Sequence, residues 1–359
     1  MTKDALGLIT AETLRFATGR PPVTELTGDV EHVRHLGPGP ERADLLLLAP
    51  ATANTLSKIA HGIDDTPVTT FASIALGSGV PVLVAPAMHQ DMTRNPAVLE
   101  NLRRLEGMGV GFVPPVLEEG EAKLAPPEVI TAHVLHRLGR APWKGRRVVV
   151  IGGSTSEPLD EVRSLTNESS GRMAVELATQ AFYRGAEVEA WFGHLRVPFP
   201  AFLTPQRFGT LADLRALLHQ RSRSLKGADA VLVPAALSDF TLKKRPGKIP
   251  SLQEKLVLEL HKAEKVLPEL RHLTGASTLL VGFKLESGLP PKALRERAWV
   301  YLQASRCDAL VANDRESMGG TESQVYLVRR EGKVHPYAGS KDVVAGRLLD
   351  DLGADLAPL

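Results

Sequence analysis

Four stretches of this chain set polar side chains at the point where a short apolar run gives out. Residues 45–50 form the first run, and Ala51-Thr52-Ala53-Asn54-Thr55 follows it. Small residues there let a ligand approach the main chain, and Thr52, Asn54 and Thr55 offer hydrogen bonds beside the free N–H groups of a helix start. A plain helix cap is the simpler reading of that segment alone. The second run, 80–86, leads into Ala87-Met88-His89-Gln90-Asp91, where a polarisable thioether stands among polar groups. Packing explains a single methionine as well as function does. The third, 148–151, ends in Gly152-Gly153-Ser154, whose backbone N–H groups can cradle a phosphate, although a tight turn wants the same glycines. Beyond it, 160–173 is dense in hydrogen-bond donors just before an amphipathic helix. The fourth, 230–234, precedes Ala235-Ala236-Leu237-Ser238-Asp239. A carboxylate at a strand end suits a hard cation such as Mg²⁺, which brings phosphate ligands with it.

The elements that hold these groups alternate short apolar runs with helix-like stretches, the rhythm of parallel sheets with ligand sites at the strand ends. Strands are expected at 45–50, 80–86, 147–151, 188–192, 230–234, 278–283 and 309–312, and a late hairpin at 324–337. Helices are expected at 54–61, 95–108 and 170–184. At 359 residues the chain is too long for one typical core, and a change of composition over 137–144 reads as a linker. Two domains follow: 1–140 and 144–359. With a formal net charge of +2 and scattered basic residues, no nucleic-acid stripe is expected. No apolar run approaches the ~20 residues of a membrane span. The N-terminus lacks an apolar signal core, and the single cysteine, Cys307, fits a reducing compartment. Cytoplasmic placement is the expectation.

Taken together, the 50–55 and 86–92 segments resemble the two motifs of the flavin-dependent cysteine decarboxylase family. The resemblance implies that Ala51, Thr52, Ala53, Asn54, Thr55, Met88 and His89 face FMN and substrate, with His89 where the family has an asparagine. It also implies a catalytic histidine upstream of Ala43-Asp44-Leu45: His35 is preferred over His32. Residues 1–5 and 13–19 are similar to a stretch that the family places after a first strand, a phosphate loop and a helix, so this half is expected to lack those parts. Gly120–Glu128 is similar to the end of the family's active-site flap, without its cysteine.

The second half resembles the CTP-dependent phosphopantothenate–cysteine ligases, and the whole chain the bifunctional enzymes of coenzyme A synthesis. Asp160-Glu161-Val162-Arg163-Ser164-Leu165-Thr166-Asn167-Glu168-Ser169-Ser170-Gly171-Arg172-Met173 carries the long ligase signature. From it, Asn167 is expected to stabilise an acyl-cytidylate; the plainer reading is an Asx turn or helix cap. Gly152 and Gly153 are expected at the nucleotide. Ala235, Ala236 and Asp239 fit the A-A-x-x-D motif, Asp239 holding nucleotide and Mg²⁺. Lys248, in a Lys-Ile pair, is expected at the triphosphate, and Phe283, in Gly282-Phe283-Lys284-Leu285-Glu286, on the cytosine. Tyr301 and Ser305 stand where the family usually carries two lysines, leaving Lys292, Arg295 or Arg306 as substitutes. Ala263-Glu264-Lys265-Val266 replaces the family's turn.

The implied fold class is α/β: two Rossmann-like domains with mainly parallel sheets, an incomplete flavodoxin-like half and a ribokinase/Rossmann-like ligase half. The implied chemistry is CTP-dependent condensation of 4'-phosphopantothenate with cysteine, then FMN-dependent decarboxylation, in a homo-oligomer. A catalytically degenerate scaffold is the rival reading. A dinucleotide dehydrogenase is a third, weakened because the 152–154 turn lacks G-x-G-x-x-G spacing.

Overall fold

The apolar runs become sheet strands, and the polar segments that follow them become the loops and helix starts at one sheet edge. The computed structural model describes residues 1–118, 121–251, 254–314 and 322–356. It divides into two units, Met1–Leu138 and Gly139–Leu359.

In the first unit, α1 (Glu31–Leu36) precedes β1 (Leu46–Ala51), α2 (Ala53–Ala60) and α3 (Pro67–Ser78). Then come β2 (Val82–Pro86), α4 (Pro96–Gly107), β3 (Gly111–Phe112) and α5 (Pro127–Leu138). The strands lie in the order β1-β2-β3, all parallel. Every residue of β2 is buried, as a central parallel strand covered on both faces must be. Helix starts are well specified. Thr66 and Thr69 form a reciprocal capping box ahead of α3, with Pro67 in the first turn.

The second unit holds an eight-stranded sheet. Its strands are β4 (Arg147–Gly152), β7 (Glu187–Phe192), β8 (Pro205–Arg207), β9 (Ala230–Val233), β10 (Leu279–Glu286), β11 (Ala309–Asp314), β12 (Glu322–Arg329) and β13 (Val334–Ser340). A short ribbon, β5 (Ser156–Pro158) with β6 (Ser164–Thr166), follows β4. The order is β8-β7-β4-β9-β10-β11-β12-β13. Strands β8 to β11 are parallel, and the expected late hairpin, β12 and β13, closes the edge antiparallel. The chain reverses direction across the sheet between β4 and β9, a topological switch point.

Two layers cover this sheet. Leu211–Gln220 (α7) and Val266–Leu273 (α8) pack with Val149, Ile151, Val231 and Leu280 on one face. Pro291–Ser305 (α9) joins that face through Leu294, Ala298 and Leu302 against Leu310. Arg172–Tyr183 (α6) lies on the other face, and packs against Lys341–Leu352 (α10). Because side chains alternate along a strand, Gly152 points the opposite way from Ile151. A Cβ there would stand 2.2 Å from the Ala174 Cβ of α6.

The units divide at 138/139, inside the expected 137–144 segment, and the residues that follow are packed rather than loose. Helix α5 runs through Leu138, and the residues after it fold into the second unit. Trp143 is 1% exposed, and its Nε1 donates to the Leu349 carbonyl at 2.8 Å. A Trp in a segment with Gly139 and Pro142 looks like a loop until the surface it covers is known.

Candidate functional site

In the first unit, the register Leu46–Val82 through Ala51–Pro86 brings both motif segments out of the same sheet edge, and Ala87 N donates to the Ala51 carbonyl at 3.0 Å. Thr52 caps α2, its Oγ1 accepting from Thr55 N; Thr52 and Asn54 are exposed, and Ala53 and Thr55 half-buried, while Ala51 is core. Met88 packs on that core, and His89 caps a short helix, its Nδ1 accepting from Asp91 N. Glu121–Lys123, the described end of the expected flap, pairs antiparallel with Met88-His89; Gly120 lies outside the described residues. His35 is held elsewhere. Its carbonyl accepts from Ala43 N at 2.7 Å, before β1 begins, and its ring Nδ1 is 3.8 Å from Glu41. The six residues of β1 span roughly 20 Å, so His35 sits at the opposite end of that strand from the motif edge. His32 lies on the same short helix, its ring tilted toward Phe71 at 6.3 Å. One copy of the chain does not assemble either histidine with Thr52 and His89.

In the second unit the loops after β4 and β9 are tied together across the switch point. Ala236 N donates to the Gly153 carbonyl at 2.8 Å, and Ser238 N to Thr155 Oγ1 at 2.9 Å. Asn167 joins the same ties, its Nδ2 donating to the Leu237 carbonyl at 2.9 Å and less closely to Ala236. Asn167 Oδ1 has no partner among the described residues. Gly152 and Gly153 are buried, and they line neither cleft described below. A Cβ on Gly153, at φ +77°, would meet the His194 carbonyl at 2.7 Å. Both glycines serve close packing of backbone and α6.

Two clefts open beside these ties and share Glu168, Ala235, Ala236, Phe283 and Leu285. The larger, about 420 Å³, lies toward α8 and α9 and holds Asn167, Asp239, Lys265, Lys284 and Tyr301. Lys265 forms an ion pair with Asp239, and Lys284 Nζ sits 5.5 Å from the centre of the Tyr301 ring. Burial pushes the Tyr301 phenol above its ordinary pKa. The smaller cleft, about 140 Å³, lies at the start of α6 and includes Arg172, Asn313 and Lys341. Phe283 lines both.

Lys248 does not line the cleft that holds Asn167. It is exposed on a strap pinned to the ligase signature: Ile249 N donates to Asp160 Oδ2 at 3.0 Å, and Glu161 N to the Gly247 carbonyl at 3.3 Å. The suggested cationic substitutes are not there either. Arg295 lies over Tyr326 and Arg306 caps the end of α9. The ammonium groups in the larger cleft are Lys265, one residue before α8, and Lys284, next to Phe283. Their positions depend on which strands neighbour β10, so spacing could not reveal them.

Asp160 organises the signature from beneath. It is 2% exposed and accepts from Val162 N, Arg163 N, Arg163 Nη1 and Ile249 N. The Ile249 N–H, then those of Val162 and Arg163, hold its carboxyl down to about 2 against the opposing effect of burial. A depressed carboxyl stabilises the fold above its unfolded pKa and loses that contribution as pH falls through the folded value. Acidification from about pH 4 to pH 2 is therefore expected to lower the melting temperature of the second unit. Asp160→Asn is expected to melt lower at pH 7 and to show a flatter slope in that acid window. Calorimetry across the range checks it.

A sheet in the 3-2-1-4-5-6 order with paired clefts at its switch point defines a doubly wound α/β unit, here preceded by a smaller α/β unit. Residues 143–355 match the family of DNA/pantothenate metabolism flavoprotein C-terminal domains, and residues 1–139 the Flavoprotein family. The chain is 40% identical over 355 residues to the coenzyme A biosynthesis bifunctional protein CoaBC of Thermococcus kodakarensis, covering 98% of this chain and 86% of that one. It is 33% identical over 354 residues to the CoaBC of Methanocaldococcus jannaschii, covering 98% and 84%. The solved DNA/pantothenate metabolism flavoprotein of Streptococcus pneumoniae shares the fold, with a TM-score of 0.51 at 23% identity, over 58% of this chain and 99% of that one. The chain belongs to the CoaBC family of bifunctional coenzyme A biosynthesis proteins, with a flavoprotein unit followed by a ligase unit.

Proposed function

We propose that the second unit joins 4'-phosphopantothenate to cysteine at the expense of CTP. The observation that carries this reading is the pair of adjoining clefts that meet at Ala235, Ala236 and Phe283, where parts of two substrates can be brought together. In the first step a carboxylate oxygen of phosphopantothenate attacks the α-phosphorus of CTP, the bond to the β-phosphate oxygen breaks, and pyrophosphate leaves. In the second the cysteine amine attacks the acyl carbon, CMP leaves, and the nitrogen gives up a proton. Asn167 lines the larger cleft and is tied to the Leu237 and Ala236 carbonyls beside the junction. To donate to the phosphate it exchanges its hold on the Leu237 carbonyl for the developing oxyanion, where a fixed donor acts most strongly. Phe283 supplies an aromatic face for the cytosine. Lys248 takes part only when its strap closes over the rim, whereas Lys265 and Lys284 already lie in a cleft. Asp239 is one carboxylate, and among the described residues no group of three His, Cys, Asp or Glu side chains could hold a metal alone. Mg²⁺ therefore fits here only as a companion of the triphosphate, with Asp239 released from Lys265.

For the first unit the reading is FMN-dependent decarboxylation of phosphopantothenoylcysteine. The small residues and polar side chains at 51–55, with Met88 and His89 alongside, fit a flavin lying across the sheet edge. Flavin bound there supplies two-electron redox chemistry. This chain's part is to orient flavin and substrate and, under the flap at 121–123, to exclude water. Cys307 has no share in it: it is 0% exposed in the core of the second unit, and burial pushes its thiol up. Since one copy leaves His35 away from the motif edge, the proposal includes a homo-oligomer in which a second copy brings it there. Among the described residues no helix is long and apolar enough to cross a membrane, and cytoplasmic placement is part of the proposal. Both full-length relatives are biosynthetic proteins, which leaves the scaffold reading unsupported.

The ligase reading predicts pyrophosphate release that requires CTP, 4'-phosphopantothenate and Mg²⁺, with CMP formed when cysteine is added. Release no greater than in controls lacking phosphopantothenate would end it.

A further inference from the structure

The two clefts of the second unit have Glu168, Ala235, Ala236, Phe283 and Leu285 in common. Of these, Glu168 alone has a side chain that can accept a proton. It follows Asn167 directly in the signature loop, and it is exposed. Among the described residues its carboxylate has neither a hydrogen bond nor an ion pair. The other carboxylates of the larger cleft are engaged, Asp239 by Lys265 and Glu264 by Arg215 at 3.1 Å. The Tyr301 phenol, pushed up by burial, keeps its proton at neutral pH. Arg172 and Lys341 line the smaller of the two clefts but not the larger, and Lys265 and Lys284 the larger but not the smaller. A free carboxylate is thus left at the place that both compartments reach.

The second step of the ligase reading has a proton to dispose of at that place. Cysteine in neutral water carries its amine as an ammonium ion, and one proton departs to water before the nitrogen has a lone pair. Once bonded to the acyl carbon, the nitrogen is cationic again and more acidic than the free ammonium. A carboxylate within reach can then take the remaining proton.

We infer that Glu168 first pairs with the incoming ammonium group of cysteine and then accepts the proton released as the amide forms. The role rests on the ligase reading. The amine nitrogen attacks the acyl carbon, the bond from that carbon to the phosphate oxygen breaks, and CMP leaves with the electron pair. The N–H proton passes to a Glu168 carboxylate oxygen and from there to solvent, which reaches this exposed side chain. Neighbouring residues thereby divide the work, the Asn167 amide serving the phosphate and the Glu168 carboxylate the amine.

The test separates the two steps in the full chain, comparing the parent with Glu168→Gln, Glu168→Asp and Glu168→Ala. Single turnovers with CTP, 4'-phosphopantothenate and Mg²⁺ follow pyrophosphate; cysteine or hydroxylamine is then added and CMP release is timed. Hydroxylamine is uncharged at neutral pH, and its adduct is acidic enough to lose its proton to water unaided. Glu168→Gln is expected to form pyrophosphate at the parent rate and to release CMP with hydroxylamine as fast as the parent. With cysteine its CMP release is expected to be roughly 10²–10⁴-fold slower, the usual contribution of a positioned proton acceptor. Glu168→Asp is expected to recover part of the cysteine rate, and added formate to restore part of it to Glu168→Ala. All three variants are expected to melt with the parent, since the side chain has no partner to lose. Unchanged cysteine-dependent CMP release in Glu168→Gln overturns the inference and leaves the ligase reading standing. So does an equal slowing with cysteine and hydroxylamine, the mark of a role in placing the acyl-cytidylate. Slower pyrophosphate formation together with a lower melting temperature also overturns it, as the mark of a packing role. No CTP-dependent pyrophosphate from the parent protein ends the ligase reading itself, and the role of Glu168 with it.

Discussion

Asn167→Ala is expected to reduce CTP-dependent pyrophosphate release by roughly 10²–10³-fold in kcat, the usual cost of deleting one preorganised oxyanion donor. The side chain is well placed for this. It reaches the rim from the signature loop, and its donor Nδ2 is held at 2.9 Å by the Leu237 carbonyl, the acceptor that a phosphate oxygen would replace. Its structural share is small. One neutral hydrogen bond contributes about 0.5–1.5 kcal/mol net, so the melting temperature should fall by only a few degrees for a unit of this size. The two roles separate in a paired measurement. A large kcat loss at a nearly unchanged melting temperature supports the catalytic role. A kcat that merely tracks the stability loss makes Asn167 a loop tie. Asn167→Asp is expected to be no better than alanine, since it sets a carboxylate against the phosphates.

Trp143→Ala is expected to cost the second unit about 3–5 kcal/mol, the range for truncating a large buried aromatic. Neighbours cannot collapse easily into the space. Pro142 and Trp143 lie against Gly353, where an added Cβ would be 2.5 Å from the Pro142 ring, and the indole N–H holds the Leu349 carbonyl at the end of α10. The same packing predicts that a fragment beginning at residue 139 will melt higher than one beginning at 147. Equal melting temperatures for the two fragments would show that the segment contributes nothing.

Much of this architecture was legible because its signals are local. Strands β2, β4 and β9 are short apolar runs bounded by polar or small residues, and such runs have few alternatives to a buried parallel strand. The helix start at Thr52 carries a side chain that satisfies a free N–H group whatever surrounds it, whereas the helices capped by Thr66 and Thr210 were not among those expected. Asn167 and Asp239, both singled out in the sequence, line one cleft. What escaped depends on convergence. The Lys265–Asp239 pair joins residues 26 positions apart, and Lys341 meets Arg172 only because α6 and α10 pack side by side. The segment at 139–144 looked like a linker because proline, glycine and arginine mark loops, and nothing local reveals that Trp143 fills a hole left by α10. Lys248 fell outside the cleft for a related reason. Asp160 captures its strap through the backbone of the next residue, an interaction to which any side chain at 248 is indifferent.

Strand β10 carries Phe283 and Lys284 as neighbours, and the pleat turns them to opposite sides of the sheet. The aromatic ring lines both clefts, reaching the one at the start of α6, whereas the ammonium group lies only in the one beside Tyr301. Two recognition surfaces are thus set a single peptide unit apart. Their spacing is locked by covalent geometry. Inserting or deleting one residue anywhere in 279–282 would trade their sides and abolish both at once, whereas conservative replacements at either position leave the other intact.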